Sequence, residues 1–155
     1  MGDMLVKLYE LPECSELIQS LKNKGIFIKR AIGPEKRLLE EWCSTAFTEH
    51  ASGEISVAMS RIPSGVFVAV RNGKPIGYAC FDATAKGFFG PTGVLEEYRG
   101  KGIGKALLVR TLQAMYEAGY AYAVIGSVGP KGFYIKNCGA VEILDSSPGI
   151  YANMI

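Results

Sequence analysis

The chain has 155 residues, enough for one domain with a substantial core. Hydrophobic residues make up 48% and charged residues 21%, which is a globular composition and not that of a disordered tract. The formal net charge of +2 is too small to make nucleic acid the main partner, and no apolar run approaches the roughly 18 residues of a membrane-spanning helix.

Four cysteines, at 14, 43, 80 and 138, form no C-x-x-C pair, and His50 is the single histidine. That pattern argues against a metal site and for reduced thiols in a cytoplasmic protein. Asp3, Lys7 and Glu10 break up the N-terminus, which therefore does not read as a signal peptide.

Residues 4–11 mix apolar side chains with Lys7 and Glu10 and predict a strand. Pro12 suits the start of a helix striped by Leu17, Ile18 and Leu21, and Gly25 closes it. Residues 1–24 are thus expected to be a strand–helix extension packed on a main domain of residues 25–155. Residues 25–32 predict a strand. Pro34 opens a helix carrying Leu38, Leu39, Trp42 and Phe47, and a further helix is expected over about residues 52–61, before Pro63.

Residues 66–71 predict a strand, and Asn72-Gly73 is a strong hairpin signal, because both residues tolerate the positive φ of a type I′ turn. The return strand covers residues 74–82. Residues 88–95 predict another strand, interrupted by Gly90, Pro91 and Gly93, which points to a bulge or a close approach by other backbone.

A basic, glycine-rich turn follows: Arg99, Gly100, Lys101, Gly102, Ile103, Gly104 and Lys105. It runs into a long amphipathic helix with Leu107, Leu108, Leu112, Met115 and Ala118 at helical spacing. The turn is therefore a helix N-terminus, where backbone N–H groups lack intrahelical partners and the peptide dipoles favour an anion such as phosphate. The Walker pattern fails, because Ala106 stands where a magnesium-binding hydroxyl belongs, and G-x-G-x-x-G fails in both registers. A nucleotide-binding phosphotransferase is thereby disfavoured. Beyond Gly119, residues 120–126 predict a buried strand, residues 141–144 a further strand, and residues 150–151 the start of a last short one.

Residues 99–104 fill every specified place of Arg/Gln-x-x-Gly-x-Gly/Ala, with a strand before and a helix after. In this the chain resembles the GCN5-related N-acetyltransferases (GNAT). Residues 127–140 are similar to the family's second segment: Phe133, Tyr134, Lys136 and Gly139 match in place, while Ser127 and Pro130 depart from the usual asparagine and alanine. The resemblance spans about residues 27–155. It implies an α/β (α+β) fold with a single mixed, mostly antiparallel, twisted sheet flanked by helices.

The resemblance also implies acetyl-CoA as co-substrate, with no metal. The backbone from Gly100 to Lys105 would hold its diphosphate, and the N–H of Val94 would polarise the thioester. Tyr134 would be the acid that protonates the leaving thiolate. The expected reaction is direct transfer of an acetyl group to a primary amine of a small molecule or peptide. The rival reading is a non-catalytic acyl-CoA-binding sensor, left open by Ser127 and Pro130. Glu54, Asp82, Glu96 and His50 are candidate bases, and no spacing chooses among them. No membrane partner is implied, and a homodimer is left open.

Overall fold

The computed structural model describes residues 1–155. Seven strands form one sheet: β1 (Met4–Lys7), β2 (Ile26–Arg30), β3 (Val66–Arg71), β4 (Lys74–Phe81), β5 (Phe88–Val94), β6 (Tyr122–Ile125) and β7 (Val141–Glu142). Their order across the sheet is β2-β3-β4-β5-β6-β1-β7. Every pairing is antiparallel except that of β5 with β6. Five helices complete the fold: α1 (Ser15–Asn23), α2 (Lys36–Ala46), α3 (Glu49–Ala58), α4 (Ile103–Glu117) and α5 (Lys131–Cys138).

The helices cover the sheet on both faces. Phe67 and Ala69 of β3 pack with Leu107, Leu112 and Met115 of α4 in one cluster. Val66 and Val68 pack with Leu39 and Cys43 of α2 and Ile55 of α3 in a second. Alternate side chains of one strand thus enter opposite cores, which is why the centre of the sheet reads as an unbroken apolar run. The Asn72-Gly73 turn joins β3 to β4 with φ of 51° and 71°, as its type requires.

Several expected boundaries move, each for a local reason. The first strand stops at Lys7 and gives way to a 3₁₀ turn, Leu8–Glu10. Helix α1 begins at Ser15 rather than Pro12, because the Glu13 carboxylate accepts the N–H groups of Cys14 (2.9 Å) and Ser15 (2.8 Å). Helix α2 starts at Lys36, after a 3₁₀ turn over Gly33–Glu35. Helix α3 starts at Glu49, because the Thr48 hydroxyl accepts the Ala51 N–H at 3.0 Å as its N-cap.

Residues 149–151 are a 3₁₀ turn and not a strand. Gly149, with φ of 60°, turns the chain there and carries the Tyr151 hydroxyl over Gly126. Strand β1 sits between β6 and β7, pairing with both. Asp3 stitches this junction: its carboxylate accepts the Ser127 N–H at 2.8 Å, and its own N–H donates to the Ser146 hydroxyl at 2.7 Å.

Candidate active site

Strands β5 and β6 pair only at Phe88 with Val124 and Phe89 with Ile125. From Gly90 onward β5 keeps its partner β4 and has none on the other side. The β4–β5 register shifts between Ala79 and Phe81, which is the irregularity expected of the Gly90-Pro91 stretch. The two strands therefore form a fork that opens toward the end of β5.

The edge of that fork is polar. The Leu95 N–H donates to the Ile76 carbonyl at 2.9 Å. This makes Gly77 and Val94 a non-hydrogen-bonded pair, so the N–H and C=O of Val94 point away from β4 and into the gap. The Val94 carbonyl accepts the Arg99 Nε at 3.2 Å. Its N–H faces the opening. Glycine at 93 is required for room: a Cβ there would lie 2.5 Å from the Phe47 ring.

Beyond the fork the chain makes a 3₁₀ turn, Glu96–Tyr98, then turns through Gly100 (φ 79°) and Gly102 (φ 86°) into α4. Gly102 is the N-cap and supplies no side chain, while its carbonyl accepts the Ala106 N–H at 3.0 Å. The amides from Gly100 to Lys105 find no acceptor in the protein. All of these residues except Lys101 border a cavity of about 760 Å³ that reaches Val94 on one side and Tyr134 on the other. Free N–H groups at the positive end of a 15-residue helix favour negative charge in this cavity.

Tyr134 stands on α5, whose helix ends at Gly139 with φ of 66°. Its ring packs edge-on against Phe133 (5.1 Å between centroids) and Phe89 (6.3 Å) and is only 6% exposed. No protein group hydrogen-bonds its hydroxyl, and Tyr134 is among the residues that line the cavity. Burial first, and the nearby Cys138 thiol second, push the Tyr134 hydroxyl up to about 12. It therefore holds its proton across the neutral range and can act as a donor, not as a base.

The cavity gathers Val94, Arg99, Gly100, Gly102, Ile103, Gly104, Lys105 and Tyr134. Lys101 is not on its wall: its ammonium lies over the Tyr98 ring at 5.9 Å. Ser127 is absent from the wall as well, because its N–H is held by Asp3. Pro130 does line the cavity, together with Thr92, Phe133 and Asn137, none of which was expected. Asn137 had a signal, since it lies one helical turn from Tyr134 and bonds back to the Phe133 carbonyl at 2.9 Å.

The acetyltransferase (GNAT) family model matches residues 34–139, most of the chain and all of the fork and glycine turn. The chain belongs to the GNAT family. No curated protein matches the sequence. Among solved structures, the GNAT domain is similar to a glucosamine N-acetyltransferase region of a fungal multi-domain GH3 β-N-acetylglucosaminidase. That match has a TM-score of 0.73 at 15% identity and covers 92% of this chain and 19% of that one.

A GNAT protein of Sphaerobacter thermophilus aligns with a TM-score of 0.69 at 24% identity, over 92% of this chain and 48% of its own. A GNAT acetyltransferase of Brucella melitensis, solved with acetyl-CoA, aligns with a TM-score of 0.54 at 21% identity, over 70% and 80% of the two chains. This GNAT chain thus spans about a fifth and about half of the first two proteins it resembles.

Proposed function

We propose that this protein is an N-acetyltransferase that moves the acetyl group of acetyl-CoA directly onto a primary amine of a small molecule or peptide. The observation that carries the reading is the run of acceptor-free amides from Gly100 to Lys105, opening into a fork whose edge presents the Val94 N–H. Acetyl-CoA carries a diphosphate, an amide-bearing arm and a thioester, in that order, and the cavity offers matching groups in the same order.

The helix start and the Arg99 and Lys105 side chains suit the diphosphate. The unpaired edge of β5 suits an arm that hydrogen-bonds like an added strand. The Val94 N–H suits the thioester oxygen and helps most as negative charge grows there. The Tyr134 hydroxyl, unpartnered and protonated, suits the departing thiolate. The Brucella relative, solved with acetyl-CoA, supports the choice of co-substrate.

The test is calorimetric titration with acetyl-CoA together with free-thiol release in the presence of primary amines. Binding and amine-dependent release are expected. Binding without release for any amine would leave the sensor reading, and absence of binding would sink both.

A further inference from the structure

A second cavity, of about 280 Å³, lies beside the first. Lys7 of β1, Lys105 of α4 and Lys136 of α5 line it, so three cations from three separate elements meet there. The volume falls short of the roughly 300–1,000 Å³ of sites that enclose a whole small ligand. It suits one end of a ligand that is held mainly elsewhere.

The two cavities join at Lys105 and Asn137, which line both. Asn137 is 9% exposed, and its amide is held by donating to the Phe133 carbonyl at 2.9 Å. The smaller cavity includes nothing of β5 and nothing of the turn from Tyr98 to Gly104. It therefore extends the site past Lys105, where the Val94 edge does not reach.

Its charge is specific. The single carboxylate on its wall is Glu10, 4.0 Å from the Lys7 ammonium. The two side chains are 49% and 64% exposed, so this pair holds Lys7 only weakly. Lys105 and Lys136 pair with no carboxylate of the protein. Three lysines and one glutamate leave the cavity with a net charge of +2. A phosphate monoester carries about −1.5 to −2 at neutral pH. The other cations of the glycine turn are directed elsewhere: Arg99 bonds the Val94 carbonyl, Lys101 lies over the Tyr98 ring, and neither lines this cavity.

We propose that the smaller cavity holds the 3′-phosphate of acetyl-CoA, with Lys7 and Lys136 as its own cations and Lys105 shared with the diphosphate. This rests on the acetyl-CoA reading of the larger cavity. Past its diphosphate, acetyl-CoA continues into a ribose that carries a phosphate monoester on its 3′ oxygen. With the arm along β5 and the diphosphate at the amides of Gly100 to Lys105, the ribose leaves on the far side, where the lysines gather.

The proposal gives the N-terminal extension a role in binding. Lys7 and Glu10 precede residues 34–139, which the family model covers. Strand β1 brings Lys7 to the site by pairing it with Tyr122 of β6, and the 3₁₀ turn that follows carries Glu10. The extension is then part of the co-substrate site and not only a cover for the sheet.

The experiment is calorimetric titration of the full chain with acetyl-CoA and with its 3′-dephospho form. Wild type should bind acetyl-CoA about 30-fold more tightly than the 3′-dephospho form. Lys7→Gln and Lys136→Gln should each weaken acetyl-CoA about fivefold, the upper range for a solvent-exposed ion pair, and leave the 3′-dephospho form within about twofold. The double variant should prefer acetyl-CoA by no more than about fivefold, the part left to Lys105. Lys22→Gln, on the exposed side of α1 and outside both cavities, should leave both affinities unchanged. All these lysines but Lys105 are exposed, and thermal melts should show each variant folded. Wild type binding the two forms within twofold would overturn the proposal. So would a double variant that keeps the full preference or loses both forms alike. Failure of wild type to bind either form would instead overturn the acetyl-CoA reading itself.

Discussion

The β3–β4 hairpin and the β5–β6 junction lie in one sheet and are built on opposite plans. In the hairpin, pairing runs from Val66 with Cys80 to Arg71 with Lys74, with one register shift between Ala69 and Val70, and residues 66–69 are buried on both faces. In the junction, pairing stops after two residues, and the free strand edge leads into a run of unsatisfied amides. The first arrangement pairs along its whole length, apart from the shift at Ala69–Val70, and gains stability from burial. The second leaves donors exposed in a cavity, where only a ligand or water can satisfy them. The difference locates function on the part of the sheet that pairing left unfinished.

That contrast can be broken on either side. The largest effect is expected from Gly104→Glu. Gly104 has helical backbone, and a Cβ there meets only Phe133 and Val94 at 3.7 and 3.8 Å, so the variant folds. A carboxylate among these acceptor-free amides should weaken acetyl-CoA binding about a thousandfold, as like charges in an interface cost several kcal/mol. Calorimetry, with the melting temperature as control, reads it out. Gly102 is a poor choice for this test. Its φ is 86°, and an added Cβ would lie 2.9 Å from Leu17, so a substitution strains the turn and displaces α1.

Next in size, Tyr134→Phe should lower kcat about 100-fold and leave acetyl-CoA affinity within twofold, because the hydroxyl matters only when the thiolate leaves. Stopped-flow thiol release with saturating amine checks it. A pH profile sharpens the assignment. A donor raised to about 12 is still protonated at pH 10, so kcat should show no alkaline fall below pH 10. A fall centred near pH 8 would mean that another group is the acid.

Within the saturated hairpin the consequence should reverse. Val68→Ala removes two methyl groups from a fully packed site and should cost about 2 kcal/mol in urea unfolding, with acetyl-CoA affinity unchanged.

The smallest effect is expected from Asp82→Asn. Asparagine tolerates the φ of 52° at this position and can still bond Tyr120. A stability loss of about 1 kcal/mol is expected, with turnover within twofold. A large loss of kcat there would make Asp82 a base.

What could be read from the chain alone was whatever short-range chemistry decides. The Asn72-Gly73 turn needs two residues that accept positive φ. The stripe from Leu107 to Met115 needs only helical spacing. Gly100 and Gly102, placed before that stripe, bare the start of the helix, and Gly90 with Pro91 disturbs the strand preceding it. Each of these follows from a few neighbouring residues, and together they named the family.

Distant partnerships were not legible. Nothing in residues 4–7 says that they slot between β6 and β7, because three apolar residues and a lysine fit many sheet edges. Asp82 and Glu54 look alike in sequence. They part only in the fold, where Gly87 and Tyr120 occupy both oxygens of one and Thr84 bonds a single oxygen of the other. Backbone conformation is set by local sterics and can be read in order. Which carboxylate stays available is set by contacts between segments far apart in sequence, and only the folded sheet brings those together.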